Sequence, residues 1–473
     1  MRQLTGLDNA FLALEGPSTP LHVTSLTVLD GSSLPEGFGY TTVLDHFADR
    51  IRGIPQFRER LQQVPLGLDH PYWRVDEHFD IEFHVRHSAV PPPGGDRELA
   101  EVVARLHARP LDRSRPLWET YVIEGLAGGD VGLLTKMHHA AIDGVAGIEI
   151  AGVVLDQSPN PPPRKRGPDL VPEPPPPTPL MLARGARGLV RMPARTARWA
   201  LNSVKELPAL GDLARMAVPM TQQRRDPDGG MVSGPTLQAP QTPFNKPVTS
   251  HRRVAWTVLD LDRDKAVKRA RGTTVNDVIM AITAGAVRRH LLEVDALPDR
   301  PLQAMVPISV RAEGDSGGNR VTAMVGLVPT HVDDPLARLD WVSEQMRTAK
   351  EHDAVPADVL ADVSSMAAPV VAARAARVVT RLRWANRLRL PFNMVISNVP
   401  GPPVPLYVAG ARVKHMIPVS AIHDGVGFNV TIISHENDVD VGLVADREMI
   451  DDLWHVAALF EESAKELYDA VGV

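Results

Sequence analysis

The chain has 473 residues, of which 44% are hydrophobic and 5% aromatic, and it carries a formal net charge of −6. This length predicts two or three domains with a substantial core, and the mildly acidic charge argues against nucleic acid as a partner. The absence of cysteine excludes disulfides, thiolate metal sites and an acyl-cysteine intermediate. Since there is neither a signal-peptide core nor an apolar run near the roughly 18–20 residues of a spanning helix, we expect a cytoplasmic protein.

Residues 1–157 are predicted to form a first α/β unit. Alternating apolar and polar residues predict a strand over 21–29, and apolar runs on either side of a glycine-rich turn predict strands over 121–123 and 131–136. Helical spacing of apolar residues covers 42–52, 98–107 and 146–155. This alternation of strands and helices is typical of an α/β sandwich.

Residues 158–245 differ in composition from both flanks. Prolines crowd residues 161–179, which predicts an extended linker with few core-forming side chains. A helical stripe of arginines follows, at Arg184, Arg187, Arg191, Arg195 and Arg198. A basic amphipathic helix can bind anionic lipid headgroups, although a helix packed on the protein with a solvated basic face is the plainer interpretation.

Residues 246–473 are predicted to form a second α/β unit. We expect strands over 251–260, 302–310, 321–332, 393–397, 427–434 and 439–446. We expect helices over 274–292, 335–350, 357–388 and 447–470, the first capped by Thr273 or Thr274. The two units share an order of strands and helices, which favours two similar α/β halves.

The pattern HHxxxDG stands directly after the apolar run 131–134, where it runs from His138 to Gly144. Imidazole is the side chain best suited to accept a proton near neutral pH. Adjacent histidines on an extended segment point to opposite sides, so we predict that they do not share a metal ion. The motif indicates a catalytic base, with a purely structural histidine pair as the alternative.

Further motifs flank this one in a fixed order. They are Pro116-Leu117-Trp118-Glu119, Asn276-Asp277, and Asn398-Val399-Pro400-Gly401-Pro402. Together with HHxxxDG and the opening Leu4-Thr5-Gly6-Leu7-Asp8, they resemble the bacterial wax ester synthase/acyl-CoA:diacylglycerol acyltransferase family. The resemblance extends from near residue 4 to about residue 468. HHxxxDG alone suggests only the wider superfamily of chloramphenicol acetyltransferase-like and condensation-domain enzymes.

The resemblance implies a fold and a reaction. The fold is α/β, with two chloramphenicol acetyltransferase-like sandwich subdomains joined by a long crossover linker and a tunnel between them. The reaction moves a long-chain acyl group from acyl-CoA to diacylglycerol, or to a long-chain alcohol. Acyl-CoA serves as co-substrate, and no other cofactor is expected. Such an enzyme can also contact the inner membrane face or lipid droplets peripherally.

The resemblance also assigns roles to residues. His139 is the expected general base, and His138 is expected to pack or hydrogen-bond within the fold. Asp143 either orients the imidazole as in a triad or forms a loop-shaping ion pair, with Arg311 as a candidate partner; the resemblance favours the ion pair. Gly144 permits a turn that a Cβ would obstruct. Asn398 is either an oxyanion donor or part of a turn.

Two other motifs have a plainer interpretation. Asn276-Asp277 is expected to cap a helix, with direct catalysis as the alternative. Trp118 is expected to fill the core at a strand start.

Two further functions remain open at the level of sequence. One keeps the fold but takes the acyl group from a carrier protein, as condensation domains do. The other is a non-catalytic lipid-surface protein that binds through residues 180–218. The intact HHxxxDG argues against the second.

Overall fold

The structure is a computed structural model that describes residues 2–142, 152–163, 169–187, 224–225, 231–232, 238–309, 321–352 and 390–473. Asp143, Gly144 and Arg311 lie outside the described residues. So do most of the predicted helix 146–155, all of the predicted helix 357–388, and the arginine stripe beyond residue 187. Their predicted roles stay predictions.

The described strands and helices have the following bounds. The strands are β1 (Arg2–Gln3), β2 (His22–Leu29), β3 (Glu59–Gln62), β4 (Tyr72–Val75), β5 (Val85–Ala89), β6 (Trp118–Glu124), β7 (Val131–His138), β8 (Arg224–Arg225), β9 (Met231–Val232), β10 (Arg252–Asp260), β11 (Leu302–Ser309), β12 (Val321–Val328), β13 (Met394–Pro400), β14 (Tyr407–Val408), β15 (Ala411–Val419), β16 (Phe428–His435) and β17 (Asp438–Asp446). The helices are α1 (Gly6–Leu14), α2 (Tyr40–Arg50), α3 (Pro55–Arg58), α4 (Ile81–His84), α5 (Asp96–His107), α6 (Leu261–Arg271), α7 (Val275–Glu293), α8 (Pro335–His352) and α9 (Leu453–Val471). Residues 178–187 are also helical.

Among the described residues, the first large sheet has the strand order β14-β15-β2-β7-β6-β5. Strands β2 and β7 are antiparallel, and their register places His22 opposite His138 at the end of β7. Trp118 at the start of β6 is fully buried. Its indole N–H donates to the carbonyl oxygen of Phe57 at 2.9 Å. The packing role predicted for Trp118 is therefore confirmed.

The second large sheet, within the part of the chain that the structure describes, has the strand order β10-β17-β16-β13-β11-β12. Helix α7 and the C-terminal helix α9 bury their apolar residues in the same hydrophobic cluster as this sheet. Thr274 is the N-cap of α7, and it forms a capping box with Asp277, which satisfies backbone N–H groups that the first turn leaves without helical partners. The capping interpretation of Asp277 is confirmed.

The two sheets are connected by strands and side chains from both halves of the chain. Strand β15 comes late in the sequence but pairs antiparallel with β2 of the first sheet. Asp440 of β17 accepts a hydrogen bond from the Met416 N–H of β15 at 2.8 Å. A cavity of about 430 Å³ lies between the halves, and Trp256, Trp454, Lys414 and Glu461 are among the residues that line it. The α/β fold with two sheet-rich halves is confirmed.

Most predicted elements within the described residues are present, often a few residues longer or shorter. The predicted helix 447–470 is wrong at its start, because α9 begins only at Leu453. The residues after β17 form a turn in which Asp446 accepts the Met449 N–H at 3.0 Å through its carbonyl oxygen. Asp452 then caps α9. The elements that periodicity did not predict include α1, α6, β3–β5 and β15.

Candidate active site

Strand β7 ends in a short 3₁₀ turn that carries the first half of the HHxxxDG motif. The turn covers His139–Ala141, and His138 is its N-cap. The Nδ1 atom of His138 accepts the Ala140 N–H at 3.0 Å. Because this nitrogen accepts, a neutral His138 must carry its proton on Nε2. His138 is fully buried, so its role in the turn is structural.

His139 is held by its backbone and by its ring. Its N–H donates to the carbonyl oxygen of Leu21 at 3.1 Å. Its imidazole stacks on Phe11 of α1, with 5.1 Å between the ring centroids and an angle of 17° between the planes. The side chain is half-buried. It is therefore fixed in orientation without being sealed from its surroundings.

The protonation state of His139 follows from its environment. Burial, and after it the positive charge that a protonated His138 would carry, lowers the pKa of His139 to about 4. Burial has this effect because the charged form loses hydration. His139 is therefore neutral at pH 7, which is the form that can accept a proton.

The two histidines have different partners. His139 contacts Phe11, whereas the Nε2 atom of His138 lies 3.6 Å from Oε2 of Glu15. Phe11 and Glu15 are four residues apart, so they lie on the same side of α1 and its C-cap. The end of α1 thus contacts both imidazoles. No sequence pattern predicted these contacts, since nothing in the spacing of α1 connects it to residues 138 and 139.

Buried polar groups lie under the loop that leads into β6. The ammonium group of Lys136 donates to the carbonyl oxygens of Leu106 at 2.8 Å and Arg109 at 2.7 Å. Burial lowers the pKa of Lys136 to about 8, although Glu119 opposes the shift. The His107 ring, which contacts the hydroxyl of Thr24 at 3.0 Å, has its pKa lowered to about 3 by burial. These groups fix the loop that carries the motif Pro116–Glu119.

The two asparagine motifs of the second half meet. The Asn398 amide at the end of β13 donates to Oδ1 of Asn276 at 3.2 Å. Both side chains are half-buried. Ile433 of β16, which neighbours β13, packs against the hydrophobic cluster that includes Ala140 and Ala141 of the histidine turn. The structure therefore brings Asn398 and Asn276 together at the carboxyl end of β13.

Two features of the described residues bear on other functions. No group of three or more His, Asp or Glu side chains in the described ranges is arranged to hold a metal ion. None of the helices in the described part of the chain combines the length and apolar character required to cross a bilayer.

Comparison with known proteins gives consistent results over the whole chain. Residues 4–279 match the sequence model of the wax ester synthase/diacylglycerol acyltransferase catalytic domain, and residues 317–468 match that of the family's C-terminal domain. A probable diacylglycerol O-acyltransferase of Mycobacterium tuberculosis is 37% identical, over 98% of this chain and 98% of that protein.

Solved structures show the same relationship. The wax ester synthase/diacylglycerol acyltransferase from Marinobacter aquaeolei VT8 superposes with a TM-score of 0.70 at 31% identity, over 100% of both chains. The first condensation domain of the CDA synthetase has a TM-score of 0.52 at 15% identity, over 100% of this chain and 96% of that one. The second likeness is one of fold alone.

Proposed function

The chain belongs to the wax ester synthase/diacylglycerol acyltransferase family and is an acyltransferase, and from this premise we propose that it moves a long-chain acyl group from acyl-CoA to the free hydroxyl of diacylglycerol, with His139 as general base. Long-chain alcohols are the second acceptor class, and would give wax esters. The observation that carries the proposal is a neutral, half-buried imidazole held at the end of β7 by Leu21 and Phe11.

The proposed reaction proceeds without an acyl-enzyme. His139 takes the hydroxyl proton while the hydroxyl oxygen attacks the carbonyl carbon of the thioester. The tetrahedral intermediate then collapses, the carbon–sulfur bond breaks, and the sulfur of coenzyme A takes the proton back from the imidazolium. The low pKa of His139 favours this return, since a buried imidazolium is unstable. A cysteine-linked intermediate is excluded by composition.

The developing negative charge on the carbonyl oxygen needs a hydrogen-bond donor. We assign this role to the Asn398 amide, which has two N–H groups and uses one of them to contact Asn276. Asn398 lies within β13, where it pairs with Ile432 of β16, and is therefore not part of a turn as the alternative expected. If its side chain served only to hold Asn276, its removal would not affect the chemical step. Asp143 and Gly144 keep the roles expected from the motif, a loop-shaping ion pair and a tight turn.

Both proposed substrates are amphiphilic, and we propose that the enzyme meets them at a lipid surface on the cytoplasmic side. Residues 178–187 form a helix on which Leu180, Arg184 and Arg187 are exposed. An apolar side chain beside two cations suits an anionic interface. Flotation with phosphatidylglycerol vesicles, compared with phosphatidylcholine vesicles, tests this contact; equal recovery with both would contradict it.

The central experiment is an assay of the purified enzyme with palmitoyl-CoA and either diolein or hexadecanol. We expect His139→Ala to lower kcat by about 10²–10⁴-fold, the contribution typical of a general base. His455→Ala is the matched control, because His455 is an exposed histidine paired with Glu293.

Two results would contradict the proposal. A folded His139→Ala variant with parental turnover would exclude the base assignment. Ester formation from a palmitoylated carrier protein, but not from palmitoyl-CoA, would exclude the proposed donor.

A further inference from the structure

Glu15, the C-cap residue of α1, is a buried carboxylate close to the candidate base. Its Oε2 atom accepts from Nε of Arg113 at 3.0 Å and also from Nη2 of the same guanidinium. Its Oε1 atom accepts the Leu21 N–H at 3.2 Å. Burial would raise the pKa of Glu15, but the interactions with His138 and Arg113 outweigh it and lower the pKa to about 2. Glu15 is therefore ionised at any pH at which the enzyme works.

The carboxylate reaches the His139 turn by a backbone route. Leu21 donates its N–H to Glu15 and accepts the N–H of His139 at its carbonyl oxygen, at 3.1 Å. One residue thus connects Glu15 to the backbone of the candidate base. A shift of Leu21 moves His139 with it.

A second route passes through His138. Its Nε2 atom faces Oε2 of Glu15 at 3.6 Å, and its Nδ1 atom accepts the Ala140 N–H. A nearby carboxylate favours the proton on Nε2, which keeps Nδ1 free to accept. The other tautomer would carry a proton on Nδ1 and would leave the buried Ala140 N–H without this acceptor.

We propose that Glu15 is a positioning residue for the acyl transfer, fixing the tautomer of His138 and the backbone of Leu21 so that His139 is presented in one orientation. The proposal rests on His139 being the base, as proposed above. Arg113 completes the arrangement, because it also donates to the Leu12 carbonyl oxygen at 2.8 Å and so ties the carboxylate to the end of α1.

The test is Glu15→Gln, which keeps the size of the side chain. A glutamine has an acceptor oxygen at only one of the two positions that Oε1 and Oε2 occupy, so it cannot reproduce both the Arg113 and the Leu21 contacts. It also lacks the negative charge that favours a proton on Nε2 of His138. We expect kcat to fall by about 10–100-fold, as for a displacement of catalytic groups by up to 1 Å, while KM for palmitoyl-CoA stays within about twofold. Glu101→Gln is the matched control, because Glu101 forms an exposed ion pair with Arg105 on α5.

A spectroscopic readout separates positioning from a merely structural ion pair. In ¹⁵N-histidine spectra, the His138 ring of the parent enzyme should show the Nε2–H tautomer, and Glu15→Gln should shift it towards Nδ1–H. Loss of an ion pair that only stabilised the fold would lower Tm and leave the tautomer unchanged. Parental kcat or an unchanged tautomer in folded Glu15→Gln would overturn the proposal.

A second pair of variants tests the proposal if Glu15→Gln does not fold. An asparagine at residue 138 can place its amide oxygen near the position of Nδ1 and accept the Ala140 N–H, whereas a glutamine reaches further and cannot. We expect His138→Asn to retain about tenfold more kcat than His138→Gln, and equal kcat values would overturn the proposal. If His139→Ala is itself fully active, the proposed function fails; if only Glu15→Gln is fully active, the positioning role alone fails.

Discussion

The two parts of the candidate site are stabilised by different kinds of groups. The turn that carries His139 lies among ionisable side chains, including Glu15, His138 and Lys136. The strand that carries Asn398 is held by amides. At its start, buried Asn393 donates to the carbonyl oxygen of Pro240 and to Oδ1 of Asn245.

This difference has a consequence for pH dependence. Amides do not titrate, so the geometry of the Asn398 strand should be the same at any pH at which the protein folds. The histidine turn carries the His139 ring, which must stay neutral to act as a base, and depends on the Glu15 carboxylate, which must stay charged. Acid should therefore disturb the histidine turn before the Asn398 strand.

We expect the largest effect from substitutions in the strand that carries Asn398 and in its contact with Asn276. Asn398→Ala should lower kcat by about 10²–10³-fold, the range observed when an oxyanion donor is removed, without a shift in its pH dependence. Asn276→Ala removes only the partner of Asn398 and should cost less. Steady-state kinetics with palmitoyl-CoA measures both; equal, small losses would limit Asn398 to its structural contact with Asn276.

A smaller effect is expected on stability in acid. The pKa of His107 is lowered by burial to about 3, so below its ordinary pKa of about 6.5 the unfolded state binds a proton before the folded state does. The contribution of His107 to the free energy of unfolding is therefore present above its unfolded-state pKa of about 6.5 and is lost as the pH falls towards 3. The loss between pH 7 and pH 5 is about 2 kcal/mol.

We expect His107→Asn to remove this part of the pH dependence in urea unfolding measured at pH 7 and pH 5. The exposed His87, paired with Glu124, provides the control as His87→Asn. A parental slope in the His107 variant would show that this ring does not control acid stability.

The smallest effect that we expect is on the activity of the enzyme between pH 8 and pH 6. Because the pKa of His139 in the free enzyme is lowered to about 4, it remains neutral at pH 6, and kcat/KM should be about equal at pH 6 and pH 8. A histidine with an ordinary pKa of about 6.5 would be only about one-quarter neutral at pH 6 and would lose activity accordingly. A roughly fourfold fall of kcat/KM between pH 8 and pH 6 would contradict the shift.

Several residues show where sequence reasoning was sufficient. Strand β7 and its end before the motif were predictable, because a short apolar run followed by polar residues indicates a buried strand and its end. The cap at Thr274 was predictable because capping is decided within one turn of helix. The core position of Trp118 follows from its size and apolar surface.

Other features depend on contacts between distant residues. Strand β15 pairs with β2 across nearly the whole length of the chain, and no local pattern encodes that partner. The same holds for Glu15, which was not predicted as a site residue because its contacts with Arg113 and His138 span 98 and 123 positions of sequence.

Local sequence was enough to indicate the chemistry of this chain, through a histidine at the end of a strand, the absence of a thiol and the motifs of an acyltransferase family. The environment of that histidine depends on the folded chain. Burial lowers its pKa, Phe11 orients its ring, and Glu15 contacts its neighbour His138. Ionisation and orientation depend on which groups the fold brings within a few ångströms, and local sequence does not specify those distances.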